Sequence, residues 1–531
     1  MSAWTAICAL EDVLPESGVC ALVNGRQIAV FRAGEALYAL DNIDPASGAS
    51  VLARGIVGDL KGESVVASPL HKHHYSLRTG RCLEDTGESV NVYPIRAMDG
   101  RVWVSVEPQG GERRERRRLI VVGNGMAGMR TVEELLRLAP DAYDITVFGA
   151  EPHGNYNRIL LSPVLAGEQR PESIILHGPE WYANHRVTLH LEDPVVEIDR
   201  RRRMVRSAKG VEAGYDRLLL ATGSSPIVLP IPGKSFPGVV TFRDLADVET
   251  MLRAARQYRK AAVIGGGLLG LEAANALAKR GMEVTVVHLL PTLMERQLDA
   301  PAAALLRASL EARGLKFRMP AKTVAVLGEN RATGLRFEDG SELEADLIVM
   351  AAGVRPNIEL ASRAGLRCER GVLVDDTLQT FDPSVYAVGE CVQHRNTVFG
   401  LVAPLWEQAR VCAAHLAEVG VRRYRGSLTA TQLKVAGIEV YSAGDLSEPE
   451  GSESLVLRDH RRGIYKRLVI RNGRLHGAVL YGDARLGSWY FELMASGVDV
   501  GSLREQLLFG PDGDLGPDAA ADGEASTARA G

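Results

Sequence analysis

The chain has 531 residues, 24% of them charged, and a formal net charge of −4. That length holds several domains, and the near-balance of charge gives no basic field for nucleic acid or an anionic membrane. Six scattered cysteines form no C-x-x-C pair and no metal-ligand spacing, which argues against a cysteine-held zinc or iron–sulfur site and fits a reducing cytoplasm. No apolar stretch reaches the roughly 18 residues of a membrane span. The opening MSAWTAICALEDVLPE carries acids where a signal peptide would be basic and then apolar.

Residues 1–107 hold short β-type runs, such as VCALVNGRQIAVFRAG and VNVYPIRAMDGRVWVSV, broken by Gly- and Asp-containing turns. They predict a small all-β domain. Within it, ALDNIDPASGASVLARGIVGD and SPLHKHHYSL resemble the Rieske fold, and especially the small subunit of assimilatory NAD(P)H nitrite reductase. A Rieske centre takes its ligands from C-x-H and C-x-x-H loops. The resemblance sets Asp44 and Ala46 at the first pair and Ser68 and His71 at the second, so only His71 keeps its type. No iron–sulfur cluster is expected there. His71, His73 and His74 read either as a transition-metal cluster or, preferably, as a polar loop left by a cluster-binding ancestor. A proton-relay or docking role for His71 stays open. Residues 108–117, dense in charge and glycine, read as an exposed linker.

RRLIVVGNGMAGMRTVEELLRLAPDAYDITVFGAE, from Arg118 to Glu151, then sets out strand, glycine turn, helix, strand and acid in order. Gly123 allows the tight turn, Gly125 lets the backbone approach a pyrophosphate, and Gly128 lets helix and strand pack closely. The helix N-terminus attracts phosphate, and Glu151 is placed for a ribose diol. HGNYNRILLSPVLAG, which begins at His153, contains no cysteine, so the dithiol chemistry of disulfide reductases is not expected. Its Tyr156, Asn157 and Arg158 resemble ferredoxin-reductase-like and nitrite-reductase flavoproteins, which implies that Arg158 lies beside the flavin nucleotide. The basic run at 200–203 reads as a surface hairpin turn. In YDRLLLATGSSP, a strand ends in Ala221, Thr222 and Gly223, an A-T-G motif that accompanies flavoproteins with two dinucleotides.

The pattern then restarts. KAAVIGGGLLGLEAANALAKRGMEVTVVHLL carries Gly265, Gly267 and Gly270, with His288 at the ribose position and no Arg beside it. Two such units imply two nucleotides, FAD first and NADH or NADPH second, with the choice between the last two open. Gly353 is counted with the second site. Glu272, expected on the first turn of the second helix, has two readings. By resemblance to flavoprotein reductases it lies near the nicotinamide; otherwise it complements the helix dipole. VYAVGECVQ supplies Gly389 and Glu390 as a flavin contact, and Trp406 in PLWEQA reads as a neighbour of the isoalloxazine or as a core residue. YKRLVIRNGRLHGAVLYGD predicts a hairpin, followed by a helix over SWYFELMASG; the final segment after LLFGP predicts disorder.

HLLPTLMERQLD, LWEQARVCAAHL and LKVAGIEVYSAGD, within residues 118 to about 510, resemble the large subunit of the same nitrite reductase family. The expected fold is an α/β two-dinucleotide flavoprotein behind a small all-β Rieske-like domain. Its expected parts are the front domain at 1–107, the linker at 108–117, and an FAD domain at 118–242 and 363–419. An NAD(P) domain at 243–362, an interface-like α+β domain at 420–510 and a tail at 511–531 complete it. The resemblance implies hydride transfer from nicotinamide to flavin, with the rings about 3–3.5 Å apart, then electron transfer to a partner holding sirohaem, a molybdenum cofactor or an iron–sulfur cluster. In the large subunit a cluster module and a sirohaem domain follow LLFGP. The expectation is therefore an electron-input half that does not reduce nitrite alone. A ferredoxin or rubredoxin reductase, with the front domain as a docking module, is the alternative. Neither nucleic acid nor membrane is an expected partner, no metal site is expected, and a homo-oligomer is compatible with the sequence.

Overall fold

The computed structural model describes residues 4–60, 62–84, 89–105, 116–418, 422–435 and 437–511. Most of the linker expected at 108–117 and nearly all of the tail expected at 511–531 lie outside these residues. Arg117, assigned to that linker, opens the strand Arg117–Val122.

Among its described residues the front domain is antiparallel, in three small sheets. Strand Ser17–Val23 turns through Asn24 and Gly25, both at positive φ, into Arg26–Ala33; an Asn-Gly turn matches the twist of a hairpin. Successive side chains of Arg26–Ala33 point to opposite faces. Ile28 and Val30 enter a core with Leu37, Tyr93 and Val102, and Ala29 and Phe31 enter another with Leu40, Tyr75 and Leu77. That strand is apolar on both sides because it serves two cores.

The chain divides into two compact units. The first comprises Met1–Leu160, Arg170–Ser225 and Val354–Ser427. Its nucleotide-binding part is a parallel sheet in the order Val187–His190, Tyr143–Phe148, Arg117–Val122, Arg217–Leu220 and Val385–Ala387. Helices Met126–Leu138 and Val402–Leu416 pack on it. With both faces covered, the strands read as unbroken apolar runs. The expected hairpin at 200–203 is present, between Val195–Asp199 and Met204–Ser207.

The second unit comprises Leu161–Gln169, Pro226–Gly353 and Leu428–Gly531. Its parallel sheet runs Val239–Thr241, Leu347–Met350, Lys260–Ile264, Glu283–Val287 and Lys316–Arg318. Two expected boundaries are corrected here. Val239–Thr241, assigned to the first nucleotide domain, pairs with Leu347–Met350 and so completes the second sheet. Leu161–Gln169, assigned to the same domain, belongs to the second unit. Arg280 Nε donates to Leu165 O at 2.7 Å, and Lys279 pairs with Glu168.

The C-terminal part is a five-stranded antiparallel sheet capped by helix Gly487–Ser496, whose Tyr490 is fully buried. The expected hairpin is Ile464–Arg471 with Arg474–Tyr481, turning at Asn472 and Gly473. Tyr465 donates to Asp299, and Tyr481 bonds Ser309 at 2.6 Å, so this sheet is tied to the second nucleotide-binding part.

Candidate functional site: two glycine turns and a closed front loop

The two glycine turns share one geometry. Gly123 sits at φ +114, and a Cβ there would lie 2.2 Å from Ala221 O; Gly265 sits at φ +131, with Ala351 O also at 2.2 Å. A Cβ on Gly128 would lie 2.8 Å from the Ala221 Cβ, and one on Gly270 would lie 2.0 Å from Gly265 O. The outer glycines are therefore demanded by the fold itself. A Cβ on Gly125 or Gly267 would meet nothing within 4 Å. Each of these middle glycines is the uncapped N-cap of its helix, Met126–Leu138 or Leu268–Lys279, so the first N–H groups take no side-chain acceptor. Open space in front of bare helix N–H groups fits a pyrophosphate at both turns.

The other expected flavin residues converge on the first turn. Ala221 closes over Gly123, and Thr222 Oγ1 donates to Asn357 O at 2.9 Å. Asn357 answers with Nδ2 to Thr222 O at 2.8 Å and its backbone N–H to Gly223 O at 3.0 Å. Gly389, at φ +92, leaves no room for a Cβ beside Ala127, on the first turn of the helix. Its N–H donates to Oε1 of the fully buried Gln408 at 2.8 Å. Glu390 accepts from Ser224 Oγ at 2.7 Å, which links the G-E segment to the A-T-G segment. Glu151 accepts from Tyr156 Oη at 2.6 Å and pairs with Arg158, so Arg158 orients the acid expected at the ribose. Trp406 is half-buried, with the Arg130 guanidinium 5.8 Å from its ring centre.

At the second turn, residues 351–353 repeat the part played by 221–223. Gly353, at φ +110, accepts from Ile227 N at 2.9 Å. His288 turns inward, and Gly266 N donates to its Nδ1 at 3.1 Å. Glu272 corrects the sequence reading. The helix begins at Leu268, so Glu272 is its fifth residue, and no acid lies in the first turn. The dipole reading therefore loses its basis. Burial pushes the Glu272 carboxyl up, partly offset by Ser162 Oγ, which donates to it at 2.7 Å.

Asn357, Gln408 and Ser162 were not singled out from sequence. Only Asn357 had a signal, an Asn following Pro in VRPN; the other two act through tertiary placement. No dithiol replaces the missing pair. All six cysteines are free, and burial pushes the Cys391 and Cys412 thiols up, away from reactive thiolate.

In the front domain the four positions set by resemblance at the ligand loops carry no thiol. Asp44 is fully buried; its Oδ2 accepts from Ser68 Oγ at 2.6 Å, and its Oδ1 accepts from Tyr75 Oη and Ala46 N, both at 3.1 Å. His71 Nδ1 stands 3.8 Å from Asp44 and is half-exposed. His74 is bound to Glu84, and the His71 and His73 ring centres are 6.0 Å apart. Among the described residues no three His, Cys, Asp or Glu side chains are grouped to hold a metal, and no helix is long and apolar enough to cross a membrane.

Fold and site together define the class of FAD- and NAD(P)H-binding oxidoreductases. Residues 117–415 match the family described as pyridine nucleotide-disulphide oxidoreductase. The chain belongs to that family. Residues 3–105 match the Rieske-like [2Fe-2S] domain, and residues 430–498 match the rubredoxin NAD+ reductase C-terminal domain. The chain is 48% identical over 396 residues to a nitrite reductase [NAD(P)H] of Bacillus subtilis, covering 75% of this chain and 49% of that protein. It is 45% identical to the assimilatory nitrate reductase electron transfer subunit of the same organism, covering 74% and 51%. The chain thus spans about half the length of these curated relatives. Among solved structures, a ferredoxin reductase from Rhodopseudomonas palustris aligns with a TM-score of 0.64 at 26% identity, over 69% of this chain and 92% of that one. The resemblance to the nitrite reductase family read from the sequence is confirmed.

Proposed function

We propose that this chain oxidises NAD(P)H through FAD and passes the electrons to a separate metal-containing partner in assimilatory nitrite or nitrate reduction. The doubled glycine turn carries the reading, because in each turn the middle glycine faces open space before bare helix N–H groups. The relation to the nitrite reductase and to the nitrate reductase electron transfer subunit supports the pathway.

Gly123, Gly125 and Gly128 would hold the FAD pyrophosphate, and Glu151, oriented by Arg158, its ribose. Ala221, Thr222, Gly223, Gly389 and Glu390 would line the rest of the flavin. Gly265, Gly267, Gly270, Gly353 and His288 would hold the second nucleotide, with Glu272 and Trp406 near the reacting rings. When bound, flavin supplies a ring that takes hydride from nicotinamide and releases electrons one at a time. The protein's part is orientation and exclusion of water.

The front domain is proposed to dock the partner without carrying electrons. Asp44, Ala46, Ser68 and His71 offer no thiolate, and the Asp44 carboxylate is already committed to protein donors. Six free thiols support a cytoplasmic setting.

The test is reduction of candidate acceptors by the full chain with FAD and NADH or NADPH. Transfer to a sirohaem nitrite reductase or a molybdenum nitrate reductase supports the proposal; a protein that binds no flavin overturns it. A second reading, a rubredoxin- or ferredoxin-type reductase, is favoured by the match at residues 430–498. Preferential reduction of rubredoxin in the same assay decides for it.

A further inference from the structure

In a dinucleotide-binding unit, an acid at the end of the second strand takes the adenine ribose hydroxyls, and a nearby Arg takes a 2′-phosphate instead. Here that strand, Glu283–Val287, ends in His288, which is neither. His288 is only 9% exposed and is bound into the protein. A backbone N–H can only donate, so Nδ1, which meets Gly266 N at 3.1 Å, is the acceptor and the ring proton sits on Nε2. Nε2 is buried without an aligned hydrogen-bond partner, although Glu295 Oε2 lies 3.3 Å away.

The chain brings Glu295 to that place. After His288 it doubles back, and Met294 N donates to Gly266 O at 3.0 Å with Leu293 and Met294 both buried. Gly266 is thus gripped on its N–H by His288 and on its carbonyl by the returning loop. A Cβ on Gly266 would lie 2.7 Å from His288 Cγ and 2.8 Å from Leu293 Cδ2. The residue after this anchor is Glu295, one-third exposed.

The cation on the next strand end is already engaged. Arg318 stands beside Val287 in the sheet, pairs with Asp339 and Ser341, and lies 4.0 Å over the Phe337 ring. Arg296, exposed and next to Glu295, is the competing cation.

We infer that Glu295, returned to the second glycine turn by residues 288–295, takes over the role of the missing strand-end acid, so that this site takes NADH in preference to NADPH. The one-third exposed Glu295 carboxylate, set 3.3 Å from the buried His288 Nε2, is an acceptor for a pair of hydroxyls, each of which can donate to it. A 2′-phosphate there would set a second anion against Glu295. The inference rests on the two-nucleotide reading given above.

Two measurements on the full chain with FAD test it. One is calorimetric binding of ADP-ribose against its 2′-phosphate; the other is kcat/KM for NADH against NADPH with ferricyanide as acceptor. ADP-ribose is expected to bind about tenfold or more tightly than its 2′-phosphate, with the same order in kcat/KM. Glu295→Gln narrows that gap by roughly tenfold, through KM rather than kcat, and Arg296→Gln leaves it in place. Equal or tighter binding of the 2′-phosphate, or a gap unchanged in a folded Glu295→Gln, overturns the inference and leaves the flavoprotein reading standing. If neither compound binds and neither nucleotide bleaches the flavin, both fail together.

Discussion

Asp44 and Ser68, 24 residues apart in the chain, are joined by a 2.6 Å hydrogen bond between two buried side chains. The bond ties together the two loops that would carry the ligands of a Rieske centre. Asp44→Ala would take the acceptor from the buried Ser68 hydroxyl and remove one bond of Tyr75, at a cost of about 1–3 kcal/mol in denaturant unfolding. Burial pushes the Asp44 carboxyl up, but bonds from Ser68, Ala46 and Tyr75 outweigh it and hold the group below its ordinary value. That contribution is present above the unfolded pKa and is lost as pH falls through the lower native one. The stability gap between wild type and Asp44→Asn should close in acid. A gap constant across that range would sever Asp44 from the effect.

The glycine turns give a separation of fold from ligand. Gly123→Ala drives a Cβ into Ala221 O and places a side chain at φ +114, a strain of about 1–3 kcal/mol or more. Gly125 sits at φ −84 with open space before it, so Gly125→Ala should shift unfolding by no more than about 0.5 kcal/mol. It should nevertheless lose FAD on desalting, read as flavin absorbance per chain. Full flavin retention in Gly125→Ala would count against a phosphate at this turn.

Glu272 gives a pH signature. Its carboxyl is pushed up by burial, so the native state holds that proton more tightly than the unfolded chain. Its contribution to stability therefore falls as pH rises from the unfolded pKa through the raised native one. Glu272→Gln, which keeps an oxygen for Ser162, should match wild type in acid and gain on it as pH rises through that window. Parallel unfolding curves at every pH would remove the assignment.

Asp483 holds the charge of the buried Lys466 at 3.0 Å and of Arg485 at 2.9 Å. The Arg485 bond, against the opposing effect of burial and together with Lys466, holds the Asp483 carboxyl well below the usual range. Asp483→Asn leaves the Lys466 ammonium buried without a counter-charge, a loss of about 3–5 kcal/mol. Lys466→Met with Asp483→Asn should recover much of that loss, as measured by denaturant unfolding of the double variant.

What could be read in advance was what the backbone demands of residue type. Gly123 and Gly265 occupy conformations that other residues avoid, Ala221 must be small to lie over Gly123, and Asn24–Gly25 and Asn472–Gly473 mark hairpins by their own conformational preference. What stayed hidden depends on partners distant in sequence. The run Val239–Thr241 carries nothing to say which sheet it joins. Gln408 is a plain helix residue until Gly389 meets it. The positions next to the end of the second strand, His288 to Leu290, hold no acid, whereas Glu295 arrives by a loop that folds back. Glu272 lies one turn further along than expected, because the helix is capped at Gly267 and begins at Leu268, ahead of the third glycine.

The passage of the chain back and forth between its two units has an evolutionary consequence. Each unit is assembled from three separate stretches of sequence. Recombination at a single point cannot exchange one unit whole for that of another lineage, because a splice anywhere in the chain divides at least one of them. A change of coenzyme is therefore reached more directly by single replacements at places such as Glu295 than by a one-point exchange of a ready-made cassette.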